Sequence, residues 1–422
     1  MLHWIFSRLR TFQQRYSVAT SSPVQVPNEI YGLIASHLPT ETLLVLCGVS
    51  RSVYLEANRY LYSALTITPI PVENWQRRSA KQQLGTQWIT PHRGMLCLRL
   101  WIKALGENSK LPVHVRSVVL NLPDDFEPDD ARELASVLCL CINLQCLELR
   151  RQDMRFCPIV NIESACIFWK TLSGCNFQLT HFRDTFFDIH EAHHNAFQTF
   201  LQRQSRLESI SVYQDVGECT FPRLRRLEIV SSNISLAARS SSLEQMKLHV
   251  GEITCHPSTW GILKDMRRFG QRDATNQLTR LELVYHREFF IVDVVVRYVA
   301  EELPHLRVLV IRQLRCSIKQ VVNHNASLKS AMKQATQLEA LILTFQPGSY
   351  ADAVGYHRLL NYHEQCAPHL RYIEIGPVAQ EGNCYIFNRH RRPYRTKEYF
   401  AAPYSVDDDI RQWAYWKDER KQ

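Results

Sequence analysis

Glycine is scarce in this chain: 14 of 422 residues, with no GxGxxG stretch and no Walker loop. Loops that cradle phosphate depend on such residues, so the two commonest nucleotide-binding devices are excluded. There is no GxSxG elbow to present a serine nucleophile. The 13 cysteines include no CxxC pair; they stand singly, as at Cys47, Cys97, Cys219 and Cys316, or at the odd spacing of Cys139, Cys141 and Cys146. With no secretory hydrophobic segment beside them, this odd, dispersed set predicts reduced, mostly buried thiols and a cytoplasmic or nuclear location. No apolar run reaches the length of a membrane span.

What is present fits an ordinary folded protein. Apolar residues make up 45% of the chain and charged residues 22%, which is enough to bury a large core and excludes wholesale disorder. The formal charge of +9 favours acidic partners or surfaces mildly. It is spread along the chain, with concentrations near residues 223–226 and 390–392, and no basic stripe is interleaved with aromatics. A nucleic-acid partner is therefore not expected. Residues 1–22 carry Arg8, Arg10 and Arg15 with aromatics at helical spacing and no acid before Glu29. That pattern is shared by mitochondrial presequences, and the competing reading is a short amphipathic or disordered leader.

Residues 26–67 form a distinct module. Pro27 can open a helix without wasting a backbone donor, and Ile30, Leu33, Ile34 and Leu38 then recur along one helical face. Pro39 closes that helix. Thr40 can cap a second one containing Leu43, Leu44, Leu46 and Cys47, and Ser50 can cap a third in which Val53, Ala57, Tyr60 and Leu61 recur at helical spacing. Three such short helices have more apolar surface than they can bury among themselves, which implies a partner.

Val26-Pro27, Leu38-Pro39, Leu43-Leu44, Val49-Ser50-Arg51 and the aromatic end Tyr60-Leu61-Tyr62 together resemble the F-box of fungal and animal proteins, with Val-Pro where many relatives have Leu-Pro. The resemblance covers about a tenth of the chain. It implies docking to the Skp-type adaptor of an SCF-type cullin-RING ubiquitin ligase and, through it, to a cullin, with the chemistry done by other subunits. Carried over residue by residue, it makes Pro27, Ile30, Ile34, Leu38, Leu43, Leu44, Val49 and Arg51 the adaptor-contact candidates. Packing inside the module is the competing role for each apolar member.

From residue 111 onward an LxxLxL signature returns, the strand portion of a leucine-rich repeat. Its copies begin at Val115, Leu144, Leu207, Leu224, Leu243, Leu278, Leu306, Leu338 and Leu370, with a degenerate copy at Leu179-Phe182 whose third position is Asp184. Helical patterns lie between them at 129–140, 191–202, 290–303, 318–336 and 353–366. Steps are mostly about thirty residues, with two near eighteen, so the array is irregular. The expected fold is α/β: a three-helix F-box followed by an irregular leucine-rich-repeat solenoid with a parallel strand ladder, its open face serving protein recognition. Residues projecting between the leucines, Arg225, Arg226, Glu228, Arg280, Glu282, Arg307 and Glu374, are the candidates for contact with a target protein; a solvated strand residue is the competing reading for each.

The domain plan is a leader at 1–23, the F-box at 24–67, a linker at 68–110, the array at 111–376 and a tail at 377–422. The tail carries HRRPYR, an acidic run at 407–409 and aromatics at Trp413, Tyr415 and Trp416, and reads as a cap for the array or as a separate interaction motif. The one enzymatic motif is HExxH at His190, Glu191 and His194, two histidines one helical turn apart with a glutamate placed to activate zinc-bound water. No third ligand follows at a recognised spacing and the flanks fit a repeat helix, so zinc hydrolysis is the minor alternative, as is a repeat scaffold without a ligase role. No catalytic residue, metal or cofactor is expected.

Overall fold

A computed structural model of the chain describes residues 28–67, 96–122, 126–151, 162–187, 191–214, 216–230, 236–237, 240, 242–250, 278–285, 292–303, 305–313, 325–345, 370, 372–377 and 385–388. The chain divides into two compact units, Met1–Ala64 and Leu65–Gln422. Pro27, residues 1–23, the expected helix at 353–366 and the tail beyond 388 lie outside the described residues.

Three helices make up the described part of the first unit: α1 Asn28–Ser36, α2 Thr40–Leu46 and α3 Arg51–Leu61. Pro39, in extended backbone, separates the first two. Thr40 was expected as a cap, but it is the first residue inside α2, and Pro39 at the cap offers no side-chain acceptor. Ser50 does cap α3, its hydroxyl accepting the Val53 N–H at 3.3 Å. Both α1 and α2 pack on α3. Their common core is Ala35, Leu43 and Ala57, with Leu38, Leu46, Cys47, Tyr60 and Leu61 packed around it.

The second unit is α/β. Ten strands follow one another in chain order as one parallel sheet: β2 Ser117–Leu122, β3 Cys146–Arg151, β4 His181–Asp184, β5 Ser209–Val212, β6 Arg226–Val230, β7 Gln245–Val250, β8 Arg280–Tyr285, β9 Val308–Gln313, β10 Ala340–Phe345 and β11 Tyr372–Pro377. A short strand, β1 Ala64–Ile67, falls at the boundary of the two units. All ten copies of the signature coincide with these strands. Their second positions align in one register from Val118 through Leu147, Phe182, Ile210, Leu227, Met246, Leu281, Leu309 and Leu341 to Ile373.

One backbone device joins successive repeats. The carbonyl of the residue just before a strand accepts two N–H groups of the next repeat, at 2.7–3.2 Å, and this recurs with Arg116, Gln145, Thr180, Glu208, Arg225, Glu244, Thr279 and Arg307 as acceptors. Just upstream, the N–H of the first signature residue closes a tight turn onto the carbonyl three residues back, as in Leu144 to Cys141, Leu207 to Gln204, Leu224 to Phe221, Leu306 to Leu303 and Leu338 to Ala335. Every one of these ten residues is buried. The turn thus fixes the leucine, and the shared carbonyl fixes its register to the next repeat.

The described helices of this unit are α4 Leu96–Glu107, α5 Pro128–Leu140, α6 Ile162–Leu172, α7 Glu191–Gln202, α8 Val292–Glu302 and α9 Asn325–Gln334. Neighbours pack as α4 on α5, α5 on α6, α6 on α7, and α8 on α9. Helix α4 lies within the segment expected to be a linker; Arg99 on it donates to the buried Asp130 of α5 at 2.8 Å, so residues 96–107 belong to the packed body. Between β5 and β6, where the repeat is short, the described residues form turns instead of a helix. Gly217 takes φ +56° there, and a Cβ at that position would lie 1.9 Å from Gln198 Nε2, so no other residue fits without moving that side chain.

The helices cover one face of the sheet. Phe182 of β4 meets Trp169 of α6 and Phe197 and Phe200 of α7 at ring separations of 5.6–6.2 Å, mostly edge to face. Asp184 occupies a core position where other repeats have leucine, valine or isoleucine. It is fully buried, and it accepts the N–H groups of Phe186 and Phe187 and the side-chain amide of Gln214. A carboxylate is tolerated because it ties the turn after a short strand. At the far end β12 Tyr385–Asn388 pairs antiparallel with β11, so the first part of the tail covers that sheet edge.

Trp169 has no exposed surface. Trp169→Ala is expected to cost about 3–5 kcal/mol, whereas Leu100→Ala, at a 59% exposed position of α4, should cost under about 0.5 kcal/mol. Urea unfolding of both variants, followed by circular dichroism, checks the contrast.

Candidate functional site

Because side chains alternate along a strand, the residues between the core positions lie on the sheet face opposite the helices. Following the register, the central row of that face reads Val119, Glu148, Arg183, Ser211, Glu228, Lys247, Glu282, Val310, Ile342, Glu374. Charge alternates through its middle. Glu228 is 2% exposed and has four neighbours: Ser211 Oγ donates to it at 2.7 Å, Lys247 Nζ lies at 2.7 Å, His249 Nε2 at 3.1 Å and an Arg183 guanidinium nitrogen at 3.8 Å. The His249 ring stands edge-on to Tyr213 at 5.2 Å.

Burial alone would push the Glu228 carboxyl up. The His249 hydrogen bond and the Lys247 and Arg183 charges outweigh that effect and hold it well below the usual carboxylate value. A second centre forms around Glu282 of β8, also 2% exposed, which accepts from Arg312 Nε at 2.8 Å and an Arg280 guanidinium nitrogen at 3.3 Å. A third pairs Glu148 of β3 with Arg150 Nε at 2.7 Å. The carboxylates form the floor, while the side chains of Arg183, Lys247 and Arg312 retain 27%, 21% and 23% exposure above them. Towards β9 and β10 the same face turns apolar and buried at Val308, Val310, Ala340 and Ile342.

Of the expected target-contact residues, Glu228, Arg280 and Glu282 fall on this face and are brought together in its two charge centres. Arg226 stands in an outer row and is half-buried, and Glu374 occupies the central row on β11. Arg225 and Arg307 do not belong to the face. Each is the residue just before a strand, exposed at the rim and paired with the glutamate of the following repeat, Glu244 and Glu339 respectively. Such exposed pairs contribute little. Arg183, Lys247, His249 and Arg312 were not anticipated. Arg183 and Lys247 occupy the same signature position that singled out Glu228 and Glu282, so the repeat register alone could have found them.

In the first unit Ile30, Leu33 and Ile34 of α1, Leu44 of α2, Val49, and Tyr54 and Leu55 of α3 are 41–60% exposed. Arg51 is exposed as well. Leu38 packs partly against the core. Leu43 is a correction to the adaptor-contact set: at 5% exposure it sits in the three-helix core, because the short α2 turns that side towards α3. Leu33, Tyr54 and Leu55 are exposed apolar residues outside the expected set, although the periodicity of α1 had marked Leu33 as part of its apolar face.

The HExxH motif is only partly described: His190 lies outside the described residues and Glu191 opens α7. His193 is buried, while His194 hydrogen-bonds the Gln198 side chain one turn on. Among the described residues no group of three or more His, Cys, Asp or Glu side chains could hold a metal ion, and no helix is long and apolar enough to cross a membrane. Cys47, Cys139, Cys141, Cys166 and Cys175 are free thiols, and burial pushes Cys141 and Cys175 up to about 12, leaving both unreactive near neutrality. No protein-family model matches the chain, and no curated protein matches it as a relative.

The depressed Glu228 carboxyl makes a signed prediction. A group whose folded value lies below its unfolded one stabilises the fold above the ordinary value of 4.5, and loses that contribution as pH falls through the folded value. Glu228→Gln strands the surrounding cations and is expected to cost about 3–5 kcal/mol at neutral pH. Urea titrations at a series of pH values should show the gap between wild type and variant constant above 4.5 and shrinking below it.

Proposed function

We propose that this protein is the target-binding receptor of an SCF-type cullin-RING ubiquitin ligase, non-catalytic itself. The three-helix unit acts as an F-box that docks on a Skp-type adaptor, and the strand–helix repeats act as a leucine-rich-repeat array that binds a target protein. The observation that carries this reading is the exposed apolar set Ile30, Leu33, Ile34, Leu44 and Val49 on a module of three short helices. Apolar residues at that density on so small a body mark an interaction surface, and they occur where the sequence resembles an F-box.

The receptor contributes binding energy only. Tethering raises the effective concentration of the target's lysines near a ubiquitin thioester carried by another subunit, which turns a rare encounter into an intramolecular one. The repeats suit target binding because an outward-facing sheet presents an extended, rigid row of side chains with no demand for internal chemistry.

Ile34→Asp with Leu44→Asp alters two positions that are 49% and 57% exposed, so folding should persist. Affinity purification followed by mass spectrometry should recover adaptor and cullin with wild type and lose at least nine-tenths of both with the double variant, at unchanged thermal stability. Leu43→Ala serves as the contrast, because it damages the core and should lower stability as well. Absence of adaptor and cullin from the wild-type sample overturns the reading; adaptor without cullin points to a scaffold that assembles no ligase.

A further inference from the structure

The residue immediately before the first signature leucine has a shared task in several repeats. Asn143 donates to the Val113 carbonyl at 2.7 Å, and Gln178 donates to the Arg203 carbonyl at 2.9 Å and accepts the Ser205 N–H at 3.2 Å. Ser242 donates to the Pro222 and Leu224 carbonyls at 3.0 and 3.1 Å, and Gln337 to the Val299 carbonyl at 3.0 Å. Each is a neutral side chain bonded to the backbone of a neighbouring repeat. Two adjacent repeats break this pattern with arginine. Arg206 and Arg223 are exposed, and neither guanidinium has a hydrogen-bond or ion-pair partner among the described residues.

Both arginines stand third in the same turn, which the Leu207 N–H closes on the Gln204 carbonyl at 3.4 Å and the Leu224 N–H on the Phe221 carbonyl at 3.2 Å. The strands that follow pair in register, Ser209 with Arg226, so three residues upstream Arg206 is level with Arg223. The Glu208 carbonyl, which accepts the Arg225 and Arg226 N–H groups, holds the two turns together. Neighbouring strands lie about 4.8 Å apart, so two unpaired cations are fixed side by side at their stems. Like charges so placed repel, and a bound anion relieves the repulsion.

The number of charges selects the anion. A phosphate monoester carries about 1.5 to 2 negative charges near neutrality and three acceptor oxygens. Two guanidinium forks match it in charge and in donors, whereas one carboxylate is satisfied by a single fork. A run of carboxylates suits the place poorly, because Glu208, exposed and without an ion-pair partner among the described residues, stands two residues from Arg206. The other arginines of these turns are already engaged: Arg203 donates to the Ser173 carbonyl, and Arg225 lies 3.6 Å from Glu244.

Resting on the target-binding reading above, we infer that Arg206 and Arg223 form a clamp, at the turn edge of β5 and β6, for one phosphate monoester dianion: a phosphoserine or phosphothreonine side chain of the target protein.

An arrayed library of random peptides built around a central phosphoserine, with serine and glutamate counterparts, tests this on the full-length protein. The best phosphopeptide, labelled with fluorescein, should bind at least tenfold more tightly than either counterpart and weaken with added salt. Arg206→Gln and Arg223→Gln should each lose at least fivefold in affinity at unchanged thermal stability. Lysine at either position should restore only part, since a point charge lacks the fork. Arg116→Gln, which removes an exposed arginine from the same edge at β2, should leave binding unchanged. Equal binding of the serine or glutamate peptide, or an equal loss on Arg116→Gln, overturns the inference. Capture of cellular targets by wild type and by the Arg206→Gln, Arg223→Gln double variant, with and without phosphatase treatment, separates it from the reading beneath. Targets lost by the variant and lost on phosphatase treatment support the clamp. Targets retained in both cases, with adaptor and cullin recovered, overturn the clamp and leave the receptor reading standing.

Discussion

Everything in the larger unit depends on one repeated hydrogen-bond arrangement, the carbonyl before each strand that accepts two N–H groups of the next repeat. It recurs eight times from Arg116 to Arg307. Because it acts between backbones, it is indifferent to side-chain identity and survives the irregular repeat lengths. It also sets parity. Once the residue before the strand is fixed, alternation sends every second side chain into the core, and a slip of one residue would bury the arginines and expose the leucines. The tight turn that seats the first leucine of five copies, those beginning at Leu144, Leu207, Leu224, Leu306 and Leu338, guards against that slip.

Parity in turn explains the electrostatics. Glu148, Arg183, Glu228, Lys247 and Glu282 share one row because they occupy one position of the repeat. Burying their carboxylates is expensive unless each is matched by cations and hydrogen bonds; the same strand supplies Arg150 to Glu148 and Arg280 to Glu282, and the neighbouring strands supply Lys247 to Glu228 and Arg312 to Glu282. The fold does not require this solution. Val310 and Ile342 fill the same row on β9 and β10 with apolar side chains. Buried ion pairs are weak evidence of a purely stabilising role, and their concentration on β3–β9 is compatible with the target-binding role proposed above.

Much of this was legible in the sequence. The spacing of leucines located all ten parallel strands and which residues face inward, because a two-residue period with a buried triplet leaves little freedom. The Ser50 cap and the exposed apolar face of α1 followed from equally local rules. Less legible was anything requiring a neighbour. Helix α4 lacks a preceding repeat signature, and its anchor, Arg99 on Asp130, joins residues far apart in the chain. Leu43 and Leu44 are chemically alike and adjacent, and only the direction in which α3 lies decides that the first is buried. Arg225 and Arg226 differ by one position, yet one stands at the rim and the other in an outer row. The clustering of His249 and Arg183 on Glu228 spans four strands and could be found only by aligning every repeat at once.

The claim on which the functional picture turns is that a target lies on the sheet face and leaves the helices free. Amine labelling of the target-bound and free protein, read by mass spectrometry, tests it at single residues. Protection of Lys247 on β7 with unchanged labelling of Lys103 on α4 and Lys170 on α6 is the expected result. Unchanged Lys247 with protection on the helices would contradict it and move recognition to the opposite side of the repeats.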